Sequence, residues 1–261
     1  MRKAIALLAV LLAAHVLPAR PAEGSGIPVD LELVLAVDVS GSIDEEEGQL
    51  QRQGYIAALL DPRLHAAIQG GTLGRIALSY VEWAGEHYQR TVVPWRLIEG
   101  PEGAAAFAGL IERAPRVTEN WTSISAALDY ATTLIETSGF ESTRKIIDIS
   151  GDGKNNSGRS VVLARNRALA AGIVINALPI ISDKPSPWGW PPPVDLDRYF
   201  EEFVIGGPGA FMVVARDFGA FGQAILAKML REIAGLDETP EPARYALAAL
   251  PAPPATGHWA E

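Results

Sequence analysis

Two apolar segments that each end in polar residues constrain the fold of this chain most strongly. Residues 31–39 read LELVLAVDV and are followed by SGS, and residues 145–150 read KIIDIS and are followed by GDG. Continuous runs rich in Leu, Val and Ile are typical of strands that are buried on both faces of a parallel sheet. Both segments are therefore predicted to be central strands whose carboxyl ends carry polar side chains.

The remaining segments alternate between helical and strand-like patterns. Apolar residues at helical spacing predict helices over residues 45–60, 103–113, 123–137, 160–171 and 218–233. Apolar runs predict further strands over residues 75–84, 90–98, 173–181 and 211–215. This alternation is typical of an α/β fold in which helices cover both faces of a sheet. A short turn before residues 90–98 predicts a hairpin, and Pro94 suits an edge strand, so one edge of the mainly parallel sheet is predicted to be antiparallel.

The amino terminus has the pattern of an export signal. The basic sequence MRK precedes an apolar run, residues 4–18, which as a helix would span about 22 Å against the ~30 Å of a bilayer core. Residues 1–22 are therefore predicted to be a cleaved signal, with cleavage within 14–22, rather than an uncleaved anchor or a buried helix. The protein is expected to be exported, to the periplasm or the extracellular medium.

The rest of the chain is predicted to form one main domain over residues 28–235. Residues 182–209 are too long and too rich in proline for an ordinary connection, which indicates a functional or decorating insertion. Trp188 and Trp190 in this segment would either form an adhesive aromatic surface or pack within the insertion. Residues 236–261 are rich in Pro and Ala without periodicity, and a flexible tail is predicted there.

Composition excludes several classes of function. The chain has no cysteine, which rules out disulfides, thiol nucleophiles and Cys-based zinc sites. Loss of residues 1–22 removes three basic residues and no acidic one, so the formal net charge would change from −9 to −12. Such a surface repels phosphate backbones, and no nucleic-acid partner is expected. No later stretch reaches the ~18 apolar residues of a spanning helix, so no stable membrane span is predicted after signal removal.

Three polar pieces form the candidate site. Asp38, Ser40 and Ser42 follow the first central strand, Thr122 precedes a predicted helix, and Asp152 follows the second central strand. In open α/β sheets, ligands bind at the carboxyl ends of strands, where the strand order reverses. If the two central strands flank that point, the two carboxylates lie close together, and they repel each other unless a cation or a proton intervenes.

The donor atoms indicate which cation such a site would bind. All five candidate ligands supply hard oxygen donors, and no His or Cys is near them in the sequence. This favours Mg²⁺, Mn²⁺ or Ca²⁺ over zinc or copper. Mg²⁺ is the first choice, because it prefers octahedral oxygen coordination and usually keeps waters, which leaves a position for an incoming acid.

The spacing Asp38-x-Ser40-x-Ser42, with Thr122 and Asp152, resembles the metal-ion-dependent adhesion site of von Willebrand factor type A (vWA) domains, a fold also seen in integrin I domains. The resemblance implies a Rossmann-like, doubly wound sheet. It also implies that the three hydroxyls coordinate the cation directly, that the two aspartates do so directly or through water, and that an Asp or Glu of a protein partner completes the coordination.

The sequence VIGGPGAF at residues 204–211 and the exported single-domain layout also resemble a bacterial family called domain of unknown function 1194.

The residues leave three hypotheses for the function. The first hypothesis is a metal-dependent binding module without enzymatic activity. The second is a metal-dependent hydrolase or phosphotransferase, which is disfavoured because no His adjoins the motifs and the G-x-S-x-G elbow is missing. The third is a structural envelope protein whose metal site is vestigial.

Simpler roles are available for several of these residues. Ser, Thr and Asp are preferred helix caps, so ending a strand and capping the next helix is the alternative for Asp38, Ser40 and Ser42, and capping is the alternative for Thr122. Asp152 lies between two glycines, and a simple turn is its alternative. The acidic run DEEE at residues 44–47 suits the start of a helix, and a second cation site at the rim is its alternative. Asp148, inside the second central strand, is predicted to be a structural polar residue rather than a ligand.

Overall fold

The computed structural model describes residues 26–182, 184–187, 189 and 191–235. The predicted signal at residues 1–22, the predicted tail at 236–261, and Trp188 and Trp190 lie outside these described residues. Within the described part of the chain, no helix has both the length and the apolar character needed to cross a bilayer.

Seven strands form a large sheet and a small one. The strands are β1 (Ile27–Pro28), β2 (Glu32–Asp38), β3 (Ile76–Trp83), β4 (Gln89–Ile98), β5 (Phe140–Glu141), β6 (Lys145–Gly151) and β7 (Val174–Pro179). The large sheet has the order β4-β3-β2-β6-β7, and β1 pairs only with β5. Every pair in the large sheet is parallel except β3 with β4. The predicted mainly parallel sheet with one antiparallel edge strand is confirmed.

Strand β2 is buried along its full length because both faces of the sheet are covered. Successive side chains of a strand point to opposite faces. Leu33 and Leu35 accordingly join one apolar cluster, whereas Val34 and Ala36 join the other. The continuous apolar run that the sequence shows is thus explained by two separate cores, one on each side of the sheet.

The helices divide between these two faces. They are α1 (Glu45–Leu60), α2 (Pro62–Gln69), α3 (Pro101–Arg113), α4 (Ile124–Glu136), α5 (Val161–Ala170), α6 (Leu196–Tyr199), a π-helical turn (Phe200–Val204) and α7 (Phe221–Ala234). Helices α1, α2, α3 and α7 bury side chains in the cluster that contains Leu33 and Leu35. Helices α4, α5 and α6 and the π-helical turn cover the opposite face. All five helices expected from the sequence are present, with bounds that differ by a few residues.

Helix α2 was not predicted from the sequence. The pair Asp61-Pro62 directly follows the helix predicted over residues 45–60, where it is typical of a helix end. In the structure Asp61 also begins α2, since its Oδ1 accepts a hydrogen bond from the backbone N of Arg63 at 2.8 Å. Pro62 fits the first turn of α2 because the missing N–H would have no partner inside the helix there.

Residues 182–209, which were predicted to be an insertion, contain side chains that are buried in the core. Leu196, Phe200 and Val204 lie four residues apart and are fully or almost fully buried against the sheet. The second half of this segment therefore contributes to the core.

The strand predicted over residues 211–215 is replaced by isolated bridges beside β7. Phe211 accepts a hydrogen bond from Ala177, and Ala215 donates one to the carbonyl of Pro179. A regular parallel ladder would also need a donor at residue 179, and proline has none. Pro179 thus interrupts the ladder, and the segment follows the sheet edge without becoming a strand.

A buried ionic cluster joins α7 to β6. The Nζ of Lys228 lies 2.6 Å from Oδ1 of Asp148 and 2.5 Å from Oε1 of Glu232, and all three side chains are inaccessible to solvent. Asn176 donates a hydrogen bond to Glu232 at 2.9 Å. Burial and the nearby charge of Asp148 raise the pKa of Glu232 to about 7, against the opposing effect of Lys228. Asp148 therefore has a structural contact, as predicted.

We expect Lys228→Met to lower the free energy of unfolding by about 3–5 kcal/mol at neutral pH, because it leaves two buried carboxylates without their cation. Urea denaturation followed by circular dichroism measures the change. The control is Lys145→Met, at a half-exposed position that begins β6, which should change stability by about 0.5 kcal/mol or less. Equal stabilities of the two variants would show that the cluster does not stabilise the fold.

We expect Glu232→Gln to change how stability depends on pH. The pKa of Glu232 in the folded protein lies above its value in the unfolded chain, so its contribution is fully present below pH about 4.5 and is lost as the pH rises through about 7. Glutamine does not titrate. The stability of the variant relative to the wild type should therefore increase between pH about 5 and about 8, measured by urea denaturation. A difference that is constant with pH would contradict this assignment.

Candidate metal centre

Asp38 ends β2 at the carboxyl edge of the sheet. Its side chain is completely buried, and its Oδ1 accepts a hydrogen bond from the backbone N of Ser40 at 2.8 Å. Its Oδ2 has no hydrogen-bond partner among the described residues. Burial, reinforced by the negative charge of Asp152, raises the pKa of Asp38 well above its usual value. A buried carboxylate oxygen without a partner is costly, and a bound cation would remove that cost.

Asp152 reaches the same point from the neighbouring strand. Strands β2 and β6 are paired in parallel with Val37 opposite Ser150, so their carboxyl ends coincide. The Oγ of Ser42 donates a hydrogen bond to Oδ1 of Asp152 at 2.8 Å, and it lies 3.2 Å from the Oγ of Ser40. Burial and the charge of Glu47 raise the pKa of Asp152 to about 6, although the bond from Ser42 opposes this.

Thr122 is held beside these groups by the loop after β6. Its backbone N donates to Oδ1 of Asn156 at 2.8 Å, and its carbonyl accepts from the backbone N of Asn156 at 2.8 Å. Its side chain is almost fully buried, and it lines the same cleft as Ser40, Ser42 and Asp152. The structure therefore brings all five predicted site residues to one edge of the sheet.

Ser40, Ser42 and Thr122 do not cap the helices that follow them. Asp44, not either serine, caps α1, and it forms a reciprocal capping box with Glu47. Ser123, not Thr122, caps α4, and its Oγ accepts from the backbone N of Ala126. Ser40, Ser42 and Thr122 therefore keep their hydroxyls for other partners. The acidic run at residues 44–47 acts as a helix start, as its first interpretation stated.

The donor set fits a hard divalent cation. Two carboxylates and three hydroxyls gather there, and among the described residues no Lys, Arg or His nitrogen lies within 4 Å of Asp38 or Asp152. By contrast, Asp148 on the same strand as Gly151 is neutralised by Lys228. The part of the chain that the structure describes contains no group of three His, Cys, Asp or Glu suited to a metal. A cation at this site would thus depend on the hydroxyls as well as the carboxylates.

Sequence reasoning missed three residues that support the site. Asn155 and Asn156 tie the loop after β6 to the start of α4, through bonds to the backbone N of Ser125 and Thr122. Gly151 permits close approach, because a Cβ there would lie 2.8 Å from Oδ2 of Asp38. The sequence GDGKNN marks these positions, but a turn would have the same composition.

Comparisons with known proteins identify the family and the fold of this chain. Residues 28–237 match the family described as "Protein of unknown function (DUF1194)". The chain belongs to the DUF1194 family. No sequence among the curated proteins matches this DUF1194 chain significantly.

Solved structures show that the DUF1194 domain has the fold of vWA domains. A vWA protein from Catenulispora acidiphila matches with a TM-score of 0.54 and 16% identity, over 78% of this chain and 43% of that one. Proximal thread matrix protein 1 from the mussel byssus, solved with a zinc-occupied metal-ion-dependent adhesion site (MIDAS), matches with a TM-score of 0.59 and 15% identity, over 81% of this chain and 50% of its own.

A pilus adhesin, SpaC from Lactobacillus rhamnosus GG, matches with a TM-score of 0.57 and 16% identity, over 81% of this chain. The DUF1194 chain spans 31% of the length of that adhesin and half the length of the mussel protein. At these identities the similarity establishes the fold alone.

We expect Gly151→Ala to destabilise the domain by about 1–3 kcal/mol, because the added methyl group would overlap Oδ2 of Asp38 and press on the ring of Trp83 at 3.3 Å. Gly103→Ala in α3 is the matched control, since its added methyl group meets no atom closer than 3.7 Å. Urea denaturation of both variants measures the difference. A Gly151→Ala protein as stable as the wild type would contradict the close packing described here.

Proposed function

We propose that this protein is an exported binding module that uses one divalent cation to hold an acidic side chain of a protein partner. The observation that carries the proposal is the buried Oδ2 of Asp38, which lacks a hydrogen-bond partner among the described residues. The other carboxylate oxygen accepts from the backbone N of Ser40, one of three hydroxyl residues that cap no helix. Ser40, Ser42 and Thr122 would bind the cation directly, and Asp38 and Asp152 would bind it directly or through water. Mg²⁺ is the proposed cation, with Mn²⁺ or Ca²⁺ as substitutes.

The same donor set supports capture of an outside carboxylate. A cation held mainly by neutral hydroxyls keeps most of its positive charge, so it attracts a further anionic oxygen. The site faces an open cleft, so a side chain of another protein can reach it. The adhesin and the MIDAS-containing matrix protein among the structural matches are consistent with this use of the fold.

A role without enzymatic activity agrees with the side chains around the site. Among the described residues, no histidine lines the cleft, and its acidic side chains are Asp44, Glu47 and Asp152. Asp44 and Glu47 form the reciprocal helix cap, and Asp152 accepts a hydrogen bond from Ser42. Each carboxylate that lines the cleft thus already has a structural partner, which favours a binding role over general-base catalysis. Export is proposed from the sequence of residues 1–22.

The first test is titration calorimetry of the metal-stripped mature protein with Mg²⁺, Mn²⁺ and Ca²⁺. We expect saturable binding at one site, and we expect the double variant Asp38→Ala, Ser40→Ala to show none. A matched pair of threonines provides the finer test, since Thr122 and Thr137 lie at opposite ends of α4. Thr122→Ala should weaken binding, whereas Thr137→Ala should leave it unchanged.

Circular dichroism and thermal unfolding of each variant establish that the domain remains folded. If the folded wild-type protein binds none of the three cations, the proposed function is wrong. Equal effects of the two threonine substitutions would show that the heat arises from cations at other positions.

A further inference from the structure

We propose that the ring of Trp121 and a set of prolines form the walls of a peptide-binding cleft beside the candidate metal centre; the prolines are Pro185, Pro187, Pro191, Pro192 and Pro193. The occupant would be an extended segment of a partner protein with an Asp or Glu flanked by apolar side chains. This inference rests on the proposed function, because the acidic side chain would bind the cation in the cleft.

The cleft is larger than one carboxylate requires. Its volume is about 900 Å³, at the upper end of the range for small-molecule sites. The candidate ligands Ser40, Ser42, Thr122 and Asp152 line it. It is also lined by a group that we call the proline wall, which comprises Pro185, Pro187, Pro191, Pro192 and Pro193. A cleft of this size accommodates several residues of a partner chain rather than one side chain.

Trp121 adjoins the candidate ligand Thr122 and is the most conspicuous apolar group of the cleft. Its side chain is 66% exposed, although Trp is usually mostly buried. Its backbone has φ of 69°, a left-handed conformation that is strained for a bulky residue. The surrounding loop holds it there, since the N of Gly85 donates to the carbonyl of Asn120 at 3.1 Å. Strain of this kind concentrates at ligand-binding sites, where it presents a side chain to a ligand.

The proline wall suits an apolar and extended partner. Proline has a fixed φ and no backbone N–H, so the wall presents apolar rings with little conformational entropy to lose on binding. Aromatic side chains line known grooves that bind extended peptides, and Trp121 supplies one here. In an extended segment, successive side chains point to opposite sides. When one acidic side chain points to the metal, its neighbours can therefore contact Trp121 and the proline wall.

The bound cation decides the charge of the cleft. Lys154 and Lys184 line it, and Lys184 is 69% exposed with its Nζ 3.6 Å from Oε1 of Glu47. Asp44, Glu47 and Asp152 also line the cleft and offset the charge of the two lysines. A divalent cation adds two positive charges there, which makes the cleft attractive to acidic segments although the chain as a whole carries a formal net charge of −9.

The test uses displayed peptide libraries on the mature full-length protein in Mg²⁺. One library has a fixed central Asp with random flanking residues, and the matched library has a fixed central Asn. We expect enrichment only from the Asp library, with apolar residues beside the Asp. Synthetic copies of enriched peptides should lose roughly tenfold or more in affinity on Trp121→Ala, since large aromatic anchors dominate such interfaces. The triple variant Pro191→Ser, Pro192→Ser, Pro193→Ser should weaken binding as well.

The control variant is Leu73→Ala, another exposed apolar side chain. Leu73 is 46% exposed and lies beside Asp30, at the opposite end of the sheet. It should leave peptide affinity unchanged. Calorimetry with Mg²⁺ on every variant shows whether the metal centre is intact.

The outcomes separate the two proposals. Peptides that require Mg²⁺ and Asp but bind the Trp121 and proline variants with unchanged affinity would overturn this inference and leave the metal-binding function intact. Failure of the Asp library to yield any Mg²⁺-dependent peptide, with normal Mg²⁺ binding, would also overturn it, because the partner would then not be a linear segment. Absence of Mg²⁺ binding would overturn both proposals.

Discussion

The parallel pairing of β2 with β6 is the interaction on which the candidate metal centre depends. It places the carboxyl ends of the two strands side by side, so Asp38 and Asp152 approach each other although 113 residues of chain separate them. Both strands are buried on two faces, and a shift of one residue would exchange the side chains of the two cores. The register is therefore fixed by packing, and the same packing fixes the position of the two carboxylates.

Two aspartates in and just after β6, Asp148 and Asp152, have different electrostatic surroundings. Asp148, in the middle of the strand, is neutralised from within the chain by Lys228 of α7. Asp152, just beyond its end, has no such cation among the described residues and instead lines an open cleft with Ser40, Ser42 and Thr122. This difference between the two carboxylates is what the proposed cation site would explain.

The sequence predicted the five strands of the large sheet, the five longer helices and the meeting of the five candidate ligands at one sheet edge, because periodicity and strand-end motifs are local properties. It did not predict the short strands β1 and β5. It missed α2, since Asp61-Pro62 has the same appearance at the end of one helix and at the start of another. It also missed the buried helical part of residues 182–209, whose apolar residues Leu196, Phe200 and Val204 follow a proline-rich stretch. The expected strand at 211–215 failed for a non-local reason, since Pro179 on the neighbouring strand cannot donate to it.

The sequence by itself determined the α/β architecture and the hard-oxygen character of the site. The types of residue and their spacing fix which side chains are apolar and which donor atoms the polar ones supply. Only the tertiary structure decided that Asp44 and Ser123 cap the helices and leave Ser40, Ser42 and Thr122 available. It alone also placed Trp121 and the proline wall along the cleft that these hydroxyls line. Such relations depend on how distant loops pack on one sheet edge, and contacts between residues far apart in the chain have no signature in local spacing.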